Sequence, residues 1–251
     1  MSAQDVTDFK VVSYNMQVAI GSHRLHHMLS HGLRYLLPHG QSLLNLQRIG
    51  ELVSDVDIVG LNEADAGSLR TGYLNQAVYI AELNGYASCE QMITRDLGRV
   101  AQHSNSLLSR YMVSRVLRHR LPKPNDGRGV LEVHYAIDGR PLVVLVTHLS
   151  LTQRVRALQL AYLAEVVGHF ESVILMGDMN CSLQSVEMQQ LLAVTSLHAS
   201  PRHLATFPSW RPRRAIDHIL LSDNLSFVNY SVKNDRLSDH LAVCAEVAWR
   251  D

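Results

Sequence analysis

Six apolar runs in this 251-residue chain meet a side chain that can ligate a cation, move a proton or hold an oxyanion. The clearest is Val173-Ile174-Leu175-Met176-Gly177-Asp178-Met179-Asn180, a short β-prone stretch closed by a glycine and Asp-x-Asn. Side chains two apart share one side of an extended backbone, so Asp178 and Asn180 are expected to project together. An Asx turn that closes the strand is the plainer reading of the same residues. Elsewhere a run ends in Asn15, another in Glu63 and a third in His148, Asp217 abuts a fourth, and Asp239-His240 precedes the last. If these ends converge, four carboxylates, two carboxamides and two imidazoles share one site. Such an oxygen-rich, thiol-free set selects a hard cation such as Mg²⁺ or Mn²⁺ over zinc. Imidazoles beside it suit proton transfer or donation to a phosphate oxygen.

Strands are predicted to carry these residues. Composition and turn signals place them near 9–15, 57–63, 86–93, 112–120, 129–137, 141–147, 173–178, 219–222, 226–233 and 241–249. Leu44, Ile49, Leu52 and Val53 recur at helical spacing and predict a helix over 42–54. Further helices are expected at 73–83, stopped by Asn84-Gly85, and at 152–169 and 184–194. There is no repeat, low-complexity tract or long linker, so one domain over 1–251 is expected. Residues 20–40 mix Leu25, Met28, Leu29, Leu33, Leu36 and Leu37 with five histidines, including the closing His39, and predict an amphipathic, His-rich inserted segment. His23 and His27 have i,i+4 spacing, but no acidic residue or thiol nearby completes a zinc set.

Basic and acidic residues balance at 23 each, which argues against strong overall attraction to a polyanion but leaves a local basic groove open. Only Lys10, Lys123 and Lys233 are lysines; the other basic residues are Arg, the side chain suited to bidentate phosphate contact, although the skew also fits genomic base composition. Cys89, Cys181 and Cys244 are odd in number and far apart, which argues against a disulfide framework. The polar start of the chain shows no leader, and no apolar run reaches the ~18–20 residues a membrane span needs. A soluble, cytoplasmic protein is the expectation.

Taken in order, Ser13-Tyr14-Asn15, Leu61-Asn62-Glu63, Asn105-Ser106-Leu107-Leu108-Ser109, Thr147-His148-Leu149, Gly177-Asp178-Met179-Asn180, Ile216-Asp217-His218-Ile219 and Ser238-Asp239-His240 resemble the motifs of the endonuclease/exonuclease/phosphatase superfamily. The resemblance implies a four-layer α/β sandwich, with two mixed sheets face to face and helices outside. It implies a Mg²⁺-dependent phosphodiesterase (Mn²⁺ as a substitute) that cuts a P–O bond with an activated water. Carried over residue by residue, Glu63, Asn15 and Asp239 would hold the metal, and Asp178 would activate or orient water. Asn180 would hold phosphate and nucleophile, His240 oriented by Asp217 would donate to a phosphoryl oxygen, and His148 would act opposite it or on the leaving group. Asn105 and Arg70 are candidate substrate contacts.

Two features depart from the common pattern: Asn62 stands where many members carry Gln, and Gln17 where abasic-site enzymes carry an acid. His148 resembles the nuclease-I, lipase and phosphatase branches. The implied substrate is a nucleic acid or a phospholipid headgroup, the latter with residues 20–40 touching the membrane surface. An inositol-phosphate phosphomonoesterase and a catalytically inactive binding scaffold are the alternatives.

Overall fold

The computed structural model describes residues 8–19, 40–123 and 127–250. One six-stranded sheet has the order β11-β12-β1-β2-β4-β3, formed by Leu225–Val232, Val243–Trp249, Phe9–Asn15, Ile58–Asp65, Gln102–Ser109 and Ser88–Asp96. The second has the order β5-β6-β7-β8-β10-β9, formed by Arg115–Arg120, Gly129–Ile137, Arg140–His148, Val173–Asp178, Asp217–Ser222 and Leu197–Ala199. Each sheet is built around one parallel pair, β1 with β2 and β7 with β8, flanked by antiparallel neighbours.

A parallel pair needs a crossover long enough to return the chain, and a helix supplies it. Helix α1 (Gly40–Leu52) precedes β2, and α3 (Gln153–Val167) joins β7 to β8. Two more, α2 (Gln76–Asn84) and α4 (Val186–Val194), begin at side-chain caps: Asn75 accepts from the Val78 N–H and Ser185 from the Met188 N–H.

Period-two alternation then sorts the side chains into layers. Val11, Ile58, Leu107, Val144, Val146, Ile174, Met176, Ile219 and Leu221 fill the space between the sheets. Val12, Tyr14, Val59 and Leu61 face the other way and pack on Leu46 and Ile49 of α1 and Ile80 of α2. Val143, Leu145, Val173 and Leu175 likewise pack on Leu160 and Leu163 of α3 and Leu191 of α4. The result is the expected four-layer sandwich. None of the described helices is long and apolar enough to cross a membrane.

The expected elements are all present, with ends shifted by a few residues. Two strands were not among those expected: β4, whose first half is the polar run His103-Ser104-Asn105-Ser106, and the three-residue β9, too short to show a period. The His-rich insert expected at 20–40 lies outside the described residues apart from Gly40, which begins α1. All three cysteines are free thiols.

Candidate active site

The topology brings the polar strand ends to one edge. Parallel strands β1, β2, β7 and β8 deliver their C-terminal residues there, while antiparallel β10 and β12 begin there. Asp217 thus pairs with Asp178 across β10 and β8, and the loop carrying Asp239 and His240 leads into Val243 opposite Ser13. Asn15 and Asp178 belong to different sheets, yet the Asn15 Nδ2 donates to Asp178 Oδ2 at 3.1 Å.

Two local devices aim the carboxylates. Asp178 follows Ile174 and Met176 on the inward face, and the intervening Gly177 has φ 141°; a Cβ there would lie 1.8 Å from the Thr147 carbonyl oxygen. Only glycine lets β8 run that close to β7. In β2 the register shifts between Asn62 and Ala64, and Glu63 sits in the bulge with φ 57°. A bulge turns the extra residue out of strict alternation, so Asn62 keeps the inward position while Glu63 reaches His148 Nδ1 at 3.9 Å.

Beyond β8 the extended backbone assumed from the sequence is not kept. Asn180 is left-handed at φ 54°, a conformation asparagine tolerates. Its N–H donates to Asp178 Oδ1 at 2.9 Å, and its Nδ2 to the Leu149 carbonyl at 2.9 Å. The Asx turn and the site are therefore the same structure. Gln17–Ala19, just after Asn15, is also left-handed (φ 44°, 54° and 56°), with the Gln17 N–H donating to Asn15 Oδ1 at 3.2 Å.

Asp178 lies between two imidazoles, its Oδ2 3.3 Å from His148 Nε2 and 3.8 Å from His240 Nε2. The His240 Nδ1 meets Asp217 Oδ2 at 2.8 Å, and that oxygen also accepts from the Thr206 hydroxyl at 2.5 Å. Burial disfavours the charged ring of His240, but the charges of Asp217 and Asp178 outweigh it and hold the imidazolium well above the ordinary histidine range. Burial, reinforced by the Asp217 charge, raises the Asp178 carboxyl. Burial, with the Arg128 charge second, keeps His148 neutral well below its usual range. One atom each from Asp178, Asp217 and His240 lie within 4.8 Å of one another. With Nδ1 committed to Asp217 and the charged ring favoured, this trio is better suited to sharing a proton than to caging a metal.

A second donor set fits a hard cation. Burial raises the Glu63 carboxyl, and the charge of Asp239 is the next cause. Two carboxylates that repel each other beside the Asn15 carboxamide, with no thiol among them, are oxygen ligands of the kind magnesium takes.

Eight of the ten residues expected at the site gather here: Asn15, Glu63, His148, Asp178, Asn180, Asp217, Asp239 and His240. The other two lie behind it. Asn105 is buried, donating to the Gly129 carbonyl and accepting from Asn62 Nδ2, both at 2.9 Å. Arg70 is buried with its Nε on Asp65 Oδ2 at 2.5 Å and its Nη1 on His103 Nε2 at 3.1 Å. Sequence reasoning did not assign roles to Asn62, Thr206, Ser238 or His103. Asn62 carried a signal, a carboxamide inside an apolar strand end; it donates to the Thr147 carbonyl at 3.0 Å and accepts from the Asp178 N–H at 3.0 Å. Ser238 holds the Asn15 carbonyl at 2.7 Å.

Residues 12–240 match the model of the Endonuclease/Exonuclease/phosphatase family, and the chain belongs to that family. Its members are usually phosphoric ester hydrolases that depend on a metal. An endonuclease/exonuclease/phosphatase from Beutenbergia cavernae is similar in structure (TM-score 0.74, 21% identity, 96% of this chain and 72% of that one). So is a mannosyl-6-phosphatase from Bacteroides thetaiotaomicron (TM-score 0.74, 18% identity, 96% and 100%). TDP2 from Caenorhabditis elegans shares the fold as well (TM-score 0.69, 16% identity, 100% and 77%). No curated protein matches the sequence.

Proposed function

We propose that the chain hydrolyses a phosphodiester by in-line attack of water, with magnesium held by Glu63, Asp239 and Asn15. The observation that carries this reading is Asp178 set between two imidazoles of opposite character, one kept charged and one kept neutral. When bound, the cation offsets charge that develops on the phosphoryl and leaving oxygens. Asp178, raised toward neutrality by burial, takes the proton of the attacking water. Asn15 Nδ2 and the Asn180 N–H fix its two oxygens so that the carboxylate does not swing. His240, its charge supported by Asp217, donates to a non-bridging oxygen as the new P–O bond forms. His148, as a neutral donor, faces the oxygen whose bond to phosphorus breaks.

A groove of about 560 Å³ opens beside Asn180, lined by Ser182, His203, Arg213 and Arg214. An extended substrate with anionic character, such as a nucleic acid strand, suits that lining better than the tails of a phospholipid.

The test is hydrolysis of bis(p-nitrophenyl) phosphate with magnesium present. EDTA should abolish turnover and added magnesium restore it. Asp178→Asn and His240→Ala should each lower kcat by ~10²–10³, the usual cost of removing one group that acts on the transition state, with unchanged circular dichroism. Near-normal turnover by either variant would refute the assigned roles, and an inert wild-type protein would favour a binding scaffold.

A further inference from the structure

We infer that the recess beside Glu63 and His148, lined also by Thr94, Arg95, His103 and Arg128, is a subsite for a second phosphate carried by the same substrate molecule. The inference rests on the hydrolytic reading above and narrows its substrate class to bisphosphorylated esters.

The recess shares Glu63 and His148 with the reacting centre, so a group seated in it lies next to the ester being cut. Its space is about 80 Å³. One water needs ~10–15 Å³ of such space, so the recess has room for a compact oxyanion. Among the described residues, Glu63 is the one acidic side chain in its lining, against two guanidinium groups and two imidazoles.

A close backbone approach helps to build this recess. Gly127 has φ 62°, and a Cβ on it would meet the Thr94 carbonyl oxygen at 3.0 Å and Arg95 Cβ at 3.2 Å. The bare backbone therefore lies against β3, and the next residue, Arg128, comes onto the same recess as Arg95. Its charge acts on Glu63, His148 and His103.

His103 is set from behind. A guanidinium only donates, so the Arg70 Nη1 contact at 3.1 Å makes His103 Nε2 the acceptor and leaves the ring proton on Nδ1. Burial, then the charges of Arg70 and Arg95, hold the ring neutral, with its pKa pushed down to about 3. Arg70 is fixed in turn by Asp65, which also accepts from the Gly67 and Ser68 N–H groups and the Ser68 and Thr71 hydroxyls. The outcome is a locked, neutral N–H donor beside two arginines, a set that matches a phosphate with one or two negative charges. Arg70 is a positioning residue for His103.

The test compares ligands that differ by one phosphate. Calorimetry with magnesium would measure thymidine 3′,5′-bisphosphate against thymidine 5′-monophosphate, and inositol 1,4-bisphosphate against inositol 1-phosphate. At least one bisphosphate should bind ten-fold or more tighter than its monophosphate. Arg95→Gln, a change at an exposed side chain, should bring that ratio close to one, and His103→Leu should lower it. Arg70→Gln should lower the ratio too. The inference is overturned if neither bisphosphate is preferred, or if Arg95→Gln weakens both members of a pair equally. A protein that prefers the bisphosphate yet cuts no ester keeps the subsite and loses the hydrolytic reading.

Discussion

Replacing Asn62 by Ala tests whether one buried carboxamide couples the two sheets to the chemistry. Asn62 is fully buried inside β2, just before its bulge, and its side chain makes three hydrogen bonds: to Asn105 Oδ1 at 2.9 Å, to the Thr147 carbonyl at 3.0 Å, and from the Asp178 N–H at 3.0 Å. Two of these partners lie on the opposite sheet. Alanine takes this partner from all three, and a buried polar group left unsatisfied costs ~1–3 kcal/mol. A water entering the space left behind would recover part of that, since it can serve several partners at once. The expected net loss is about 3–5 kcal/mol, a fall in Tm on the order of 10 °C for a chain of this size. Chemical and thermal denaturation would measure it. Because the Asp178 N–H is one of the orphans, kcat should fall as well, while the substrate groove beside Asn180 is untouched and KM should change little. A loss under about 1 kcal/mol with full activity would show that the carboxamide neither staples the sheets nor holds Asp178.

Three shorter predictions follow from the same geometry. Gly177→Ala places a Cβ on the Thr147 carbonyl, so β7 and β8 must separate at the site. It should give insoluble or strongly destabilised protein, and a soluble, active variant would refute the reading of that contact. Arg156 and Glu187 form a buried pair at 2.6 Å between α3 and α4. Arg156→Leu should cost ~3–5 kcal/mol at neutral pH. Burial opposes the charge on Glu187, but its backbone hydrogen bond and Arg156 prevail and lower its pKa. The stability this pair confers is thus complete above the unfolded carboxyl's pKa and disappears as pH falls through the lower folded value. The gap between wild type and Arg156→Leu in urea should narrow over that acid range, and a gap constant down to pH 3 would contradict it. Thr206→Val removes the hydroxyl that donates to Asp217. It should weaken the Asp217–His240 pair and lower the pKa on the acid-group limb of the pH–rate profile, with a small effect on Tm; an unshifted profile counts against the pairing.

Much of the site was legible in advance because its residues sit where regular structure stops. An apolar strand with period two announces itself, and a carboxylate or imidazole at its end stands out against that background, as at His148 and Asp178. Ordered motifs then supplied roles that spacing alone could not. Direction and depth were less legible. Arg70 and Asn105 were expected as substrate contacts; both are buried and spend polar atoms on protein partners, which spacing along the chain does not reveal. Asn180 was assigned an extended backbone, and the Asx turn that overrides it depends on the Ile216 carbonyl receiving the Met179 N–H from another strand.

The sequence by itself determined most of the strands, the helices and which polar residues mark their ends, because those follow from local periodicity and turn chemistry. Tertiary structure alone decided which of those ends meet. Asn15 and Asp178 are 163 positions apart and touch only because the sheets stack with their parallel pairs aligned. The same stacking aims Glu63 through a bulge and sets Arg95, His103 and Arg128 around one recess. Burial at that junction shifts the protonation of Asp178, His148 and His240, and burial is a property of the packed sheets that no single stretch of chain carries.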